Sequence, residues 1–215
     1  MNNVSERFNY NNAQKTNKNF MYKDFRRSNC YNCDFSGSNF NFASFRGAHF
    51  KGCDFFDGIF ESTEFIGTNL KKSKFKNAIL SNVIFEGANL SGVDFRGTQF
   101  KNVIFLDTDL TKALNLDLNN PEIRIFKEMP TIEISDGLKK AIEKALTNEK
   151  IKKSRVLDTK EGNINPMSIM RLLEVFSDYE LRRGLNLLAE KLDNDFCTLS
   201  YIVKAIRGYI REELI

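Results

Sequence analysis

The sequence predicts a β-solenoid over residues 20–113, nearly five coils long, followed by a small α-helical bundle over residues 135–215. Three observations carry this. A large apolar residue returns at every fifth position from Phe20 to Leu110; of these 19 positions 14 are Phe, four are Leu and one is Cys30. A second series, two residues before each, is small from Ser28 and Cys33 through Ala88 and Val93 to Ala113. Past residue 135 the apolar spacing becomes helical.

A period of five excludes the ordinary elements. An α-helix advances about 100° per residue, so five steps scatter the Phe side chains around its axis. A flat strand alternates with period two, so five steps would send successive Phe to opposite faces. The chain must therefore turn within every five residues and return each Phe toward one interior line. Such repeats bury their apolar side only by stacking.

The motif itself can be read at Ala88-Asn89-Leu90-Ser91-Gly92 and Val93-Asp94-Phe95-Arg96-Gly97: small, polar, Leu or Phe, then two polar residues. This resembles the pentapeptide-repeat family. The resemblance implies a right-handed quadrilateral β-helix in which four pentads make one square coil. The central and small residues then point inward and the other three outward. Residues twenty apart should stack, giving an all-Phe column of Phe25, Phe45, Phe65, Phe85 and Phe105 and another of Phe35, Phe55, Phe75 and Phe95. Neighbouring coils should lie about 4.8 Å apart, the spacing of paired strands.

Residues 1–19 hold Phe8 and Tyr10 but no clear repeat, and Lys18 and Lys23 interrupt the small series. They read as a cap or arm at the N-terminal end. Residues 114–134 read as a connector covering the last coil. Leu114, Leu116 and Leu118 alternate with polar residues, and Asn119-Asn120-Pro121 marks a turn. In the helical region about four helices are expected. Leu138, Ala141, Ile142 and Ala145 form one stripe after Ser135. A basic run spans residues 150–155, and Asn165-Pro166 opens another helix. Ser177-Asp178-Tyr179-Glu180 is a capping box before Leu181, Leu185 and Leu188. Ile202, Ile206 and Ile210 mark the final helix.

The opening residues are polar and Asn-rich rather than a secretory signal, and no apolar run reaches membrane-spanning length, so a cytoplasmic location and no membrane contact are expected. The four cysteines do not space as a disulfide framework. Cys30, Cys33 and Cys53 fall in inward series, where cysteine acts as a small apolar residue, so neither metal nor cofactor is expected. His49, the one histidine, stands at an outward position with no nucleophile pattern around it. No phosphate loop, carboxylate pair or nucleophile elbow is present, and the chain reads as no enzyme. Lys71, Lys72, Lys74 and Lys76 form a basic cluster read as solvated surface.

Outward apolar residues are the more informative signal. Ile59 and Ile79 should stack on one side of the coil; Ile84 and Ile104, with Ile66 and Leu106, should share the next. An exposed apolar patch on a solenoid marks an interface. The expected function is a non-catalytic scaffold for protein–protein binding. Its occupant would be the chain's own helical region, a second copy in a homodimer, or another protein. The family resemblance implies an alternative, a DNA mimic that binds type II topoisomerases such as gyrase, which needs a negative surface. Residues 16–113 carry 13 Lys or Arg against 10 Asp or Glu, a balance of +3, so only a local strip such as Asp54, Asp57, Glu61 and Glu64 would serve. A weaker alternative follows from residues 165–207, whose hydrophobic spacing resembles the C-terminal helical module of DnaD-like replication proteins and implies a DNA-linked role. Binding of nucleic acid is otherwise disfavoured, for want of a continuous basic stripe with exposed aromatics.

Overall fold

The computed structural model describes residues 7–212 and divides into two compact units, Met1–Glu128 and Met129–Ile215. The first is a β-solenoid of about six turns. Its strands are short: β1 (Asn9–Asn11), β2 (Asn29–Tyr31), β3 (His49–Lys51), β4 (Ile59–Glu61), β5 (Glu64–Ile66), β6 (Ile79–Ser81), β7 (Ile84–Glu86), β8 (Gln99–Lys101), β9 (Val103–Leu106) and β10 (Ile123–Phe126). All pair in parallel, in the orders β1-β2-β3, β4-β6-β8 and β10-β9-β7-β5. The register is twenty residues throughout, as in Phe65↔Phe85↔Phe105. A fourth side is held by single bridges, Gln14↔Asp34↔Asp54↔Lys74↔Asp94↔Leu114. Twenty residues per turn and four sides give five residues per side, the period of the sequence.

Many corners share one device. The N–H of the small residue donates to the carbonyl of the preceding central residue, as Ser28 to Phe25 at 3.0 Å and Ala78 to Phe75 at 3.0 Å, closing a four-residue turn. At these corners and at the others, the second residue after the centre has positive φ, at Gly67, Gly87, Asn77, Asn82 and Asn102 among others. A side chain pays sterically there, and Gly, Asn and Asp least. The residue before the centre is often Asn or Asp because its side chain accepts the N–H two residues on, as Asn69 from Lys71 at 3.2 Å and Asp94 from Arg96 at 3.0 Å.

Inside, the central residues from Phe25 to Phe95 are fully buried and stack in columns: the ring centroids of Phe65 and Phe85 lie 4.8 Å apart at 5°, those of Phe40 and Phe60 5.1 Å apart at 6°. Rings of neighbouring columns meet edge to face, as Phe25 with Phe50 at 88°.

The solenoid extends further at both ends than the five-residue ladder. Residues 9–19, within the expected cap or arm, wind a first coil, with β1 against β2 and Asn19 bridged to Asn39. Lys15 takes a central position and its ammonium lies 4.4 Å from the Tyr10 ring, so an amphipathic stem substitutes for Phe. Residues 1–6 of that expected cap lie outside the described residues. At the other end, the connector contributes β10, paired in register with β9. Leu114, Leu116 and Leu118 form no strand; Leu114 makes one bridge and Leu118 is exposed. Backbone pairing thus outlasts the Phe pattern because it needs only the turn geometry.

The second unit holds five helices among the described residues: α1 (Asp136–Ala145), α2 (Glu149–Ser154), α3 (Pro166–Leu173), α4 (Asp178–Lys191) and α5 (Leu199–Arg211). The one beyond expectation is α2, built from the basic run. Asn148 caps it and Arg155 ends it at φ 61°. The capping box at Ser177 and Glu180 is complete. Leu138, Ile142, Leu172, Leu181, Leu185, Leu188, Ile202 and Ile206 make its core. No helix of the described residues is long and apolar enough to cross a membrane.

Candidate interaction walls

Four walls run along the solenoid, each carrying one outward side chain set per coil. In chain order they hold Ile59 and Ile79; Glu64, Ile84 and Ile104; Asn69 and Asn89; and Asp54 and Asp94. The first and third are opposite sides of the square.

On the isoleucine wall, Ile59 and Ile79 are register partners on β4 and β6 and remain 40% and 39% exposed. Phe56, at the preceding corner of the same coil, is 41% exposed. Beside the pair runs a polar ladder. The Asn82 amide donates to Glu61 at 2.7 Å, that of Asn102 to Asn82 at 2.8 Å, and Arg124 to Asn102 at 2.9 Å. Further toward the N-terminal end, Tyr22 and Phe42 stack at 4.9 Å and 16° at the next corner. The wall thus offers apolar groups on a backbone fixed by coil-to-coil hydrogen bonds. Phe42 and Phe56 were overlooked in the sequence, although they are the Phe within residues 20–113 that fall outside the five-residue phase.

On the next wall the exposure is different. Ile84, Ile104 and Leu106 are 2%, 1% and 1% exposed, and Ile66 is half-buried. Periodicity fixes that they point away from the coil axis; it does not fix that water reaches them. Glu64 is buried here too, its carboxylate 3.9 Å from Arg46. Burial pushes the Glu86 carboxyl up, partly offset by Arg46. The six interface candidates therefore separate, with only Ile59 and Ile79 exposed together.

The proposed acidic strip also disperses. Asp54 pairs with Lys74 at 3.3 Å, Glu61 joins the amide ladder, and Glu64 is buried on a different wall. Lys76 and Arg96 reach Asp94 at 3.4 and 4.0 Å. Of the basic cluster, Lys74 and Lys76 are thus paired, whereas Lys71 and Lys72 have no carboxylate within 4 Å among the described residues.

Cys30, Cys33 and Cys53 are buried and free. The Cys53 thiol sits 3.4 Å from the Cys30 carbonyl, and desolvation pushes the Cys30 thiol up to about 12 and raises that of Cys53 as well. His49 is exposed on β3. Among the described residues no group of His, Cys, Asp and Glu could hold a metal ion.

The geometry defines a four-sided parallel β-solenoid whose outward side chains alone are available for recognition. A profile of pentapeptide repeats matches it in 8 copies over residues 24–57, 43–82 and 78–114, and the repeat segment of this chain belongs to the pentapeptide-repeat family. Solved structures with similarity include a pentapeptide repeat protein from the Arabidopsis thaliana thylakoid lumen, at 24% identity over 48% of this chain and 83% of that one, with a TM-score of 0.36. HetL, involved in heterocyst differentiation regulation in the cyanobacterium Nostoc, aligns at 19% identity over 49% of this chain and 55% of its own, with a TM-score of 0.27. QnrB1, a plasmid-mediated fluoroquinolone resistance protein, aligns at 15% identity over 56% of this chain and 90% of its own, with a TM-score of 0.20. A search of curated protein sequences found no match.

Proposed function

We propose that this protein is a non-catalytic scaffold that binds another protein through its isoleucine wall. The observation that carries the reading is the exposed, register-paired Ile59 and Ile79, with Phe56 at the adjoining corner. Exposed apolar groups that stack in a column, rather than lying singly, are the kind of patch that marks an interface. The rigid lattice beneath lowers the ordering cost of binding. A DNA-mimic reading has less support, because the Asp54, Lys74 and Asp94 column alternates in sign and the opposite wall carries unpaired lysines.

The test is chemical cross-linking of the full chain in extract from its native cells, compared by quantitative mass spectrometry with the Ile59→Lys/Ile79→Lys double variant. A specific protein recovered with the parent chain and depleted by at least an order of magnitude with the variant supports the reading. Equal recovery of every cross-linked protein by both chains overturns it.

A further inference from the structure

The wall opposite the isoleucines carries a different chemistry. On it a cleft of about 350 Å³ is lined by Lys71, Ala88, Asn89, Leu90, Ser91, Asp109 and Lys112. Along the edge of the same wall runs a column of corners, Gly52, Lys72, Gly92 and Lys112, in which glycine and lysine alternate. Gly92 leaves a notch between two lysines. A Cβ placed there would meet Cγ of Lys72 at 3.5 Å, in ordinary van der Waals contact.

The lysines here lie outside ion pairs. On the solenoid Arg26, Arg46, Lys74, Lys76 and Arg96 each reach a carboxylate within 4.0 Å, whereas Lys18, Lys23, Lys51 and Lys101 stand singly without one among the described residues. Lys71, Lys72 and Lys112, all exposed, reach none among the described residues. Two further groups can donate: the Asn89 carbonyl oxygen accepts the Ser91 N–H at 3.1 Å, which leaves its amide NH₂, and the Ser91 hydroxyl lines the same cleft. Asp109 is turned into its own corner, accepting from the Thr111 N–H at 2.9 Å and its hydroxyl at 2.6 Å.

We infer that this cleft is a docking site for an acidic, extended polypeptide segment. Charge complementarity selects an anion. Width selects a polypeptide over a nucleic acid duplex. A wall of three extended residues is only about 10 Å across at roughly 3.3 Å per residue. The adjoining wall carries both signs, with Asp54 paired to Lys74 and Asp94 to Lys76, so it adds no net attraction for a broad polyanion. A single extended chain fits within the lysine wall alone. The site is independent of the isoleucine wall and would serve a second segment of the same partner or a different one.

The experiment is fluorescence anisotropy of a labelled hexaglutamate peptide with the full chain at 50 and 200 mM salt, beside a twelve-nucleotide single strand and a short DNA duplex. Binding of hexaglutamate that weakens with salt is expected. The Lys71→Glu/Lys72→Glu/Lys112→Glu variant should weaken it by at least roughly tenfold through charge reversal. Gly92→Asp, which an aspartate tolerates at φ +71° and which sets a carboxylate between Lys72 and Lys112, should weaken it similarly. Ile59→Lys/Ile79→Lys and the helical-unit control Lys139→Glu/Lys140→Glu should leave it unchanged. No binding at 50 mM salt, an equal loss in the helical-unit control, or tighter binding of either DNA than of the peptide overturns the inference. Circular dichroism confirms that each variant retains its fold.

Discussion

The hydroxyl of Ser73 donates to the carbonyl of Phe50 at 2.6 Å and accepts from the N–H of Cys53 at 3.0 Å, bridging two coils from inside a buried corner. The same reach of twenty-three residues recurs from Thr63 to Phe40, Thr68 to Phe45 and Thr98 to Phe75. The Cys53 thiol lies against the Cys30 carbonyl at that interval too. The small inward series therefore does more than leave room for Phe. Its hydroxyls satisfy corner backbone groups that the strand ladders leave over.

Replacing Ser73 by Ala should strip the Cys53 N–H and the Phe50 carbonyl of that partner. A loss of about 1–3 kcal/mol in urea unfolding is expected. Ser73→Thr should retain most of the stability, since threonine does the same at the neighbouring corners. Equal stability of the Ala variant and the parent would refute this role.

Column packing predicts a gradient along the axis. Phe65→Ala, in the middle, should cost about 3–5 kcal/mol by creating a cavity between stacked rings. Phe100→Ala should cost clearly less, because that ring is half-buried near the end. Denaturation of both variants measures the difference.

Corner strain can be isolated at Gly67, where φ is +57° and an added Cβ would meet nothing within 4 Å. Gly67→Ala should lose about 1–2 kcal/mol from backbone conformation alone. Gly67→Asn should lose less. Thermal melting of the pair separates strain from crowding.

The raised Cys30 thiol sets a pH dependence. Its folded pKa, about 12, lies above the ordinary 9.0, so the folded state holds the proton more tightly than the unfolded chain. The corresponding stability is present below pH 9 and is lost as pH rises toward 12. Urea midpoints measured from pH 8 to 11 should fall, and the fall should be shallower in Cys30→Ala. Thiol-reactive probes should label Cys30 and Cys53 only upon unfolding.

With its acidic residues paired, buried or dispersed, the solenoid should not replace DNA on gyrase. Added at micromolar concentration, the protein should leave gyrase supercoiling unchanged; inhibition or protection would restore the DNA-mimic reading.

The interior was legible because a period of five can be met in only one way: Phe25, Phe45 and Phe65 had to converge. The corner glycines were equally visible, since Gly37, Gly47, Gly52, Gly67, Gly87, Gly92 and Gly97 share one phase. What escaped was whatever depends on neighbours outside the pentad. The first coil was hidden by Lys15, Lys18 and Lys23, because side-chain pattern can lapse where backbone pairing persists. Ile84 and Ile104 could be placed in direction, but their burial is set by neighbours that the five-residue pattern does not contain. The contrast between paired Lys74 and unpaired Lys72 needed the position of Asp54, twenty residues away.

The twenty-residue register gives this molecule a fixed unit of growth. Duplicating one such stretch would add a storey and leave every side looking where it looked before. Inserting five residues between Ile59 and Ile79 would swing all that follows by a quarter-turn and part the two isoleucines onto different sides. Length in this architecture is freely adjustable only in whole storeys.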